Sequence, residues 1–174
     1  MKNIEIVESN VDIENIKQNI ISKPENWSYN THRQRNIFVQ KNTESIPLIN
    51  GAIEGPFSQG KFNDSNLLTK TKLFAQYPEI IEFLTLKFPS KINRVSIVKL
   101  LPKSIVYPHI DLGKYYVDKD RYHLVIQGTY FYGVGMNIIR ATPGTLFKFN
   151  NKKIHWSANL TDQERISVIF DVSR

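Results

Sequence analysis

Cysteine is absent from the 174 residues, which excludes disulfides, thiolate metal sites and thiol nucleophiles. Any metal held by this chain must take its ligands from His, Asp, Glu or carbonyl oxygen. Histidine is scarce as well, with four in the whole chain. No stretch approaches the length of apolar sequence needed to cross a bilayer, and Met1 to Asn10, which carries Glu5 and Glu8, has no run fit for an export signal. The expectation is a cytoplasmic protein without a membrane partner, and the lack of cysteine fits a reducing compartment. Common catalytic loops are missing too: there is no Gly-x-Ser-x-Gly elbow and no Walker loop. Gly133-Val134-Gly135 lacks the third glycine of a dinucleotide loop and reads as a hairpin turn between strands.

What is present is an ordinary globular composition, 41% hydrophobic and 11% aromatic, long enough for one domain with a real core. We expect a single domain over residues 1–174, with 1–93 as an N-terminal elaboration and 94–174 as the core. The formal charge of +7 raises the question of a polyanionic partner. The basic residues are dispersed, however: Arg33-Gln34-Arg35 and Lys70-Thr71-Lys72 alternate with neutral residues, and the adjacent pair Lys152-Lys153 falls in a turn. Such spacing describes a solvated face rather than a nucleic-acid patch, so a nucleic-acid partner is disfavoured. The same charge would draw in small dianions.

Val11 to Ile21 sets Ile13, Ile16 and Ile20 at spacings of three and four, which predicts a short amphipathic helix ended by Lys23-Pro24. Pro78 followed by Ile80, Ile81, Phe83, Leu84 and Phe88 predicts a second, with proline in its first turn. Between them Trp27, Ile37 to Val39 and Ile46 to Ile49 read as short strands, and Gly51 to Asn66 as loop. From Val95 the pattern is short strands and turns: Val95 to Leu101, Ile105 to Asp111, Tyr122 to Gln127, Thr129 to Tyr132, Met136 to Arg140, Thr145 to Phe149, Ile154 to Ser157 and Arg165 to Val172. Regular short strands of this kind predict a sandwich or barrel, of which the jelly roll is one solution.

Within those strands, His109-Ile110-Asp111 places an imidazole and a carboxylate at i and i+2, on one face of an extended segment. His155 returns from a distant part of the chain, past the strand and turn of Phe147 to Asn151. Two imidazoles and one carboxylate on one face of a metal leave other positions open, the ligand set of a non-haem Fe(II) oxygenase. Arg165 opens the last strand, and its planar fork matches a carboxylate bidentately, such as the far carboxylate of 2-oxoglutarate. Arg121 and His123 share a face of Arg121-Tyr122-His123 and could supply further donors to a bound acid.

Taken in order, Leu100-Leu101-Pro102, Pro108 to Asp111, Arg121-Tyr122-His123, Gly144 to Asn151, His155, Asn159 and Arg165 to Asp171 resemble the aspartyl/asparaginyl β-hydroxylase family of 2-oxoglutarate-dependent oxygenases. The resemblance spans roughly residues 94 to 174. It implies a mainly β fold, a double-stranded β-helix (cupin-like jelly roll) with a few N-terminal helices packed on it. It also implies His109, Asp111 and His155 as iron ligands, Arg165 as the clamp on the distal carboxylate of 2-oxoglutarate, and His123, with Arg121 beside it, as further cosubstrate contacts. The implied reaction consumes O2, releases CO2 and succinate, and hydroxylates an unactivated carbon of a small-molecule or peptide substrate. Two departures stand out. Pro102 is followed by Lys103-Ser104 where the family usually carries glycine, so that turn is expected to differ. The vertebrate members lack the acidic ligand, so Asp111 aligns this chain with the bacterial branch, some of whose members hydroxylate free amino acids. A carboxylate there also argues against halogenation.

A different class of reading is a non-catalytic jelly-roll module that has kept the fold. The three ligands and Arg165 argue against it, because a binding module has no physical need for that set. A third, an oxygenase acting on nucleic acid, draws on the basic charge alone. The residues name neither the substrate nor the oligomeric state; Arg33, Arg35 and the loop from Gly51 to Asn66 are candidates for selectivity.

Overall fold

The computed structural model describes residues 3–51 and 67–174, with the side chains of His32 and Arg33 also outside the description. Eleven strands are present among these residues: β1 (Ile4–Glu8), β2 (Thr43–Gly51), β3 (Leu68–Lys70), β4 (Ile92–Leu100), β5 (Ser104–His109), β6 (Lys119–Gln127), β7 (Tyr130–Val134), β8 (Asn137–Ala141), β9 (Leu146–Phe149), β10 (His155–Asn159) and β11 (Arg165–Ser173). They form two antiparallel sheets. The larger runs β1-β9-β6-β11-β4-β2-β3 and the smaller β5-β10-β7-β8. Three helices, α1 (Glu14–Ile21), α2 (His32–Asn36) and α3 (Pro78–Lys87), come from the first half of the chain. This is the mainly β, cupin-like double-stranded β-helix with few helices that the sequence predicts.

The central strands of the large sheet are buried on both faces and sort their side chains accordingly. On β11, Ile166, Val168, Phe170 and Val172 join the apolar cluster under the helices, together with Ile16 and Ile20 of α1 and Ile80 and Leu84 of α3. Tyr122, Leu124 and Ile126 of β6, Val95 and Ile97 of β4, and Ile46 and Leu48 of β2 face the same way. The opposite residues turn into the space between the sheets, where a second cluster of Val125, Tyr130, Tyr132, Val134, Ala141, Phe147 and Phe149 closes one end. Period-two alternation thus serves two interiors rather than one interior and solvent. The residues left facing inward on β11 include Arg165, Ser167 and Asp171, each essentially inaccessible. Polar groups are buried at such positions only where they are hydrogen-bonded or needed.

Several local expectations are corrected. Trp27 lies in a 3-10 helix, Pro24–Ser28, because Pro24 at the first position presets the helical φ. There its ring packs on the helix-side cluster under the Lys99 ammonium. Residues 38–40 form another 3-10 turn rather than a strand, and Phe38 stacks on Tyr107 of β5. Of Gly133-Val134-Gly135, the first two belong to β7, and Gly135 alone takes the turn conformation, with φ 56°. Gly133 is confined to the strand by its partner across the sheet: a Cβ there would fall inside the Trp156 indole. At the turn where glycine was expected, Lys103 itself adopts the left-handed region, with φ 49°. β1 and β3 went unread in the sequence, being short, edge-placed and weakly patterned. The loop expected at Gly51 to Asn66 lies outside the described residues apart from Gly51, which ends β2.

Candidate metal centre

β5 and β10 pair so that His109 stands directly opposite His155. Their rings approach to 4.2 Å between centroids. Strand β5 ends at His109, so Asp111 sits just beyond it rather than on the strand, held by a bond from its N–H to the carbonyl of Asn151 at 3.0 Å. The donor atoms of His109, Asp111 and His155 all lie within 4.8 Å of one another. The three residues that the sequence singled out therefore converge on one point between the sheets.

The tautomers follow from the hydrogen bonds. Nδ1 of His109 donates to the Tyr107 carbonyl at 2.7 Å, and Nδ1 of His155 to the Lys153 carbonyl at 2.9 Å. A carbonyl can only accept, so Nδ1 carries a proton on both rings, the arrangement that turns Nε2 of each toward the metal position. Burial, against the pull of Asp111, pushes the His155 imidazole down to about 4, so it stands neutral near pH 7. For Asp111 burial alone would raise the pKa, but the Arg121 guanidinium and the two histidines outweigh it and hold the carboxyl below its ordinary range. Two imidazoles and one ionised carboxylate are a hard-to-borderline donor set that fits a divalent first-row ion.

Arg121 and Asp171 are cross-strand neighbours on β6 and β11. Arg121 donates from Nε and Nη2 to the two oxygens of Asp171, at 2.8 and 2.9 Å, and from Nη1 to Asp111 Oδ2 at 2.6 Å. The same Asp111 oxygen accepts from Asn151 Nδ2 at 3.3 Å. Burial by itself would lower the Arg121 pKa, yet the two carboxylates raise it well above its usual value. Arg121 thus faces the cavity where the sequence put it, with its charge already matched by two acids.

Arg165 contrasts with it. The side chain is 1% exposed. It donates from Nη2 to Ser157 Oγ at 3.1 Å and lies 4.5 Å over the Tyr130 ring, while Nε and Nη1 are buried without a partner. Among the described residues no carboxylate pairs with it, and burial pushes its pKa down. A buried guanidinium with two idle donors calls for an anion. His123, between Arg121 and Arg165 in the cavity wall, is packed among Tyr132, Phe147 and Phe149, with Nδ1 also unpartnered. Burial, then the two arginines, keeps its imidazole neutral.

These groups line one cavity of about 100 Å³ between the sheets, into which Gln40, Thr43, Asn50 and Arg94 also project. Asn151, Asp171, Ser157 and the tyrosines are site residues that the sequence reading left without a role. The one signal for them was inward alternation on β11, where Asp171 shares the face of Arg165. Arg35 is exposed and does not line the cavity, and the side chain of Arg33 lies outside the described residues.

A double-stranded β-helix enclosing two histidines, a carboxylate and an unpaired arginine is the architecture of a jelly-roll oxygenase, with three donors placed where a metal could bind. The model of the aspartyl/asparaginyl β-hydroxylase family matches residues 12–174, and the chain belongs to that family, an enzyme of the 2-oxoglutarate-dependent dioxygenases. Among solved structures, an oxidoreductase of the 2OG-Fe(II) oxygenase family from Burkholderia pseudomallei superposes with a TM-score of 0.57 at 13% identity, covering 83% of this chain and 79% of that one. A sugar phosphate isomerase from a cupin superfamily, from Silicibacter pomeroyi, gives 0.44 at 13% identity over 78% of this chain and 62% of that one. At such identities the Burkholderia likeness bears on the fold alone. No curated protein matches the sequence. No helix among the described residues is long and apolar enough to cross a membrane.

Proposed function

We propose that the chain hydroxylates a C–H bond of an amino acid or peptide side chain, using Fe(II) held by His109, Asp111 and His155 and coupling the reaction to decarboxylation of 2-oxoglutarate. The observation that carries this reading is the pairing, in one cavity, of a three-donor cluster with a buried arginine that lacks a counter-charge. With iron and O2 bound, the group supplies the oxidising power that converts C–H to C–OH while 2-oxoglutarate loses CO2 and becomes succinate. The chain's own part is to bind, orient and exclude water. Arg165 offers Nε and Nη1 to the distal carboxylate of the cosubstrate, with Ser157 and Tyr130 fixing the guanidinium. His123 adds a neutral imidazole on the same wall, with Arg121 beyond it. Tyr132 and Phe149 pack against His155, with Phe149 5.0 Å from the His155 ring.

Anaerobic addition of Fe(II) and 2-oxoglutarate should produce the weak visible charge-transfer absorption characteristic of the two together, and His109→Ala or His155→Ala should abolish it. Absence of the band in wild type, or its persistence in both variants, would defeat the proposal. Succinate release across free amino acids and short peptides then separates the substrate classes.

A further inference from the structure

Asp171 is buried at 1% exposure and lines the cavity together with Arg165 and Ile169 of the same strand. A carboxylate there loses its hydration, a cost of several kcal/mol unless donors replace the water. Three do: Arg121 Nε on Oδ1, Arg121 Nη2 on Oδ2, and the Tyr115 hydroxyl on Oδ2 at 3.1 Å. The paired grip fixes the plane of the guanidinium, and its remaining terminal nitrogen then has one direction to point. That direction is Asp111 Oδ2. We infer that Asp171 is a positioning residue for the metal-binding carboxylate, acting on Asp111 through Arg121; the inference rests on the reading that Asp111 binds metal.

Charge explains why an arginine beside a ligand carboxylate should need a second acid. Arg121 alone would neutralise Asp111 and oppose a cation. With Asp171 the trio carries two negative charges against one positive, which leaves one net negative charge for a divalent ion. Geometry adds a second function. Tyr115 follows Asp111 by four residues, in the 3-10 turn Lys114–Tyr116, so its bond to Asp171 ties the segment after Asp111 back to β11. Asn151 holds Asp111 from the other side through its backbone and side chain. The carboxylate is thereby clamped from β11, from its own following turn and from the segment before β10.

Co(II), which needs no anaerobic handling, tests this through affinity and visible ligand-field bands rather than turnover. Asp171→Asn keeps the shape and removes the charge. It should weaken Co(II) binding about 10- to 100-fold, the usual effect of losing a partner behind a metal ligand, and alter the bands. In an Arg121→Gln background the same change should add less than about twofold, since residues that act through one another are not additive. Should Asp171→Asn fail to fold, Arg121→Lys serves instead: it keeps the cation but cannot grip Asp171 twice and reach Asp111 as well, so binding should weaken likewise. Wild-type affinity and bands in the folded variant, or a full loss that persists without Arg121, overturn the inference while leaving the metal site intact. Failure of the wild type to bind Co(II), or binding indifferent to His109→Ala, removes the metal reading and this inference together.

Discussion

Replacing Arg165 by methionine should make the protein more stable and less able to use its cosubstrate. The guanidinium is buried, with Nε and Nη1 unpartnered. Desolvating such a charge costs several kcal/mol. Against this stand the contact with the Tyr130 ring, worth up to about 2 kcal/mol, and the bond to Ser157, worth about 1 kcal/mol. An unbranched apolar side chain of similar length avoids the desolvation and keeps most of the packing, so the expected net gain is about 2 kcal/mol, within the range found when buried charges are replaced by apolar groups. For a chain of this size that corresponds to roughly 4–8 °C in melting temperature. On the proposed reading the same change removes the partner of the cosubstrate's distal carboxylate, a loss of about 2–5 kcal/mol in binding, or at least roughly thirtyfold in the 2-oxoglutarate requirement. Two measurements suffice: thermal melts of the metal-free protein, and titration of the Fe(II)-dependent absorption with 2-oxoglutarate. A variant that melts below wild type would show that the guanidinium is already satisfied. An unmoved titration would show that the cosubstrate acid lies elsewhere.

The other expectations are as direct. Gly133→Ala puts a methyl group where the Trp156 indole sits, next to His155, and should cost about 1–3 kcal/mol in a denaturation series while weakening metal binding; unchanged metal affinity would mean that Trp156 yields without moving its neighbour. His123→Phe replaces an imidazole with an unpartnered Nδ1 inside an aromatic cluster, so the fold should hold within about 1 kcal/mol while the 2-oxoglutarate titration shifts to higher concentration. Leu84→Ala opens a cavity between α3 and the large sheet and should cost about 2–5 kcal/mol, yet the folded fraction should bind metal as wild type does.

The core of the site was legible because it rests on local patterns. His109 and Asp111 are two apart, Arg165 begins an alternating run, and the eight strands from residue 92 onward follow turn residues closely. The N-terminal half was harder to read. Trp27 and Phe38 are aromatic and neighbour apolar residues, which imitates strand, but proline-started and 3-10 turns there serve to pack rings on the helix-side cluster and on Tyr107. Asp171 and Asn151 escaped notice for another reason. Their roles depend on register across the sheet and on a backbone contact forty residues away in sequence, and neither has a local signature.

Arg121 and Arg165 show that function here is assigned by neighbours rather than by residue type. Both are inward-facing arginines on adjacent strands of one sheet, lining one cavity. Register sets Arg121 opposite Asp171, and the turn after β5 brings Asp111 to its third nitrogen, so its charge is balanced within the protein and its pKa rises. Arg165 stands opposite Leu100, beside a serine and a tyrosine that can orient it but cannot neutralise it, and its pKa falls. An internally matched cation is rigid and suited to holding another side chain in place. An unmatched one stores unfavourable free energy that an anionic ligand releases on binding, and so favours the loaded state. Exchanging the two environments, by removing Asp171 or by adding a carboxylate beside Arg165, should therefore exchange the consequences: loss of metal affinity in the first case and loss of 2-oxoglutarate affinity in the second.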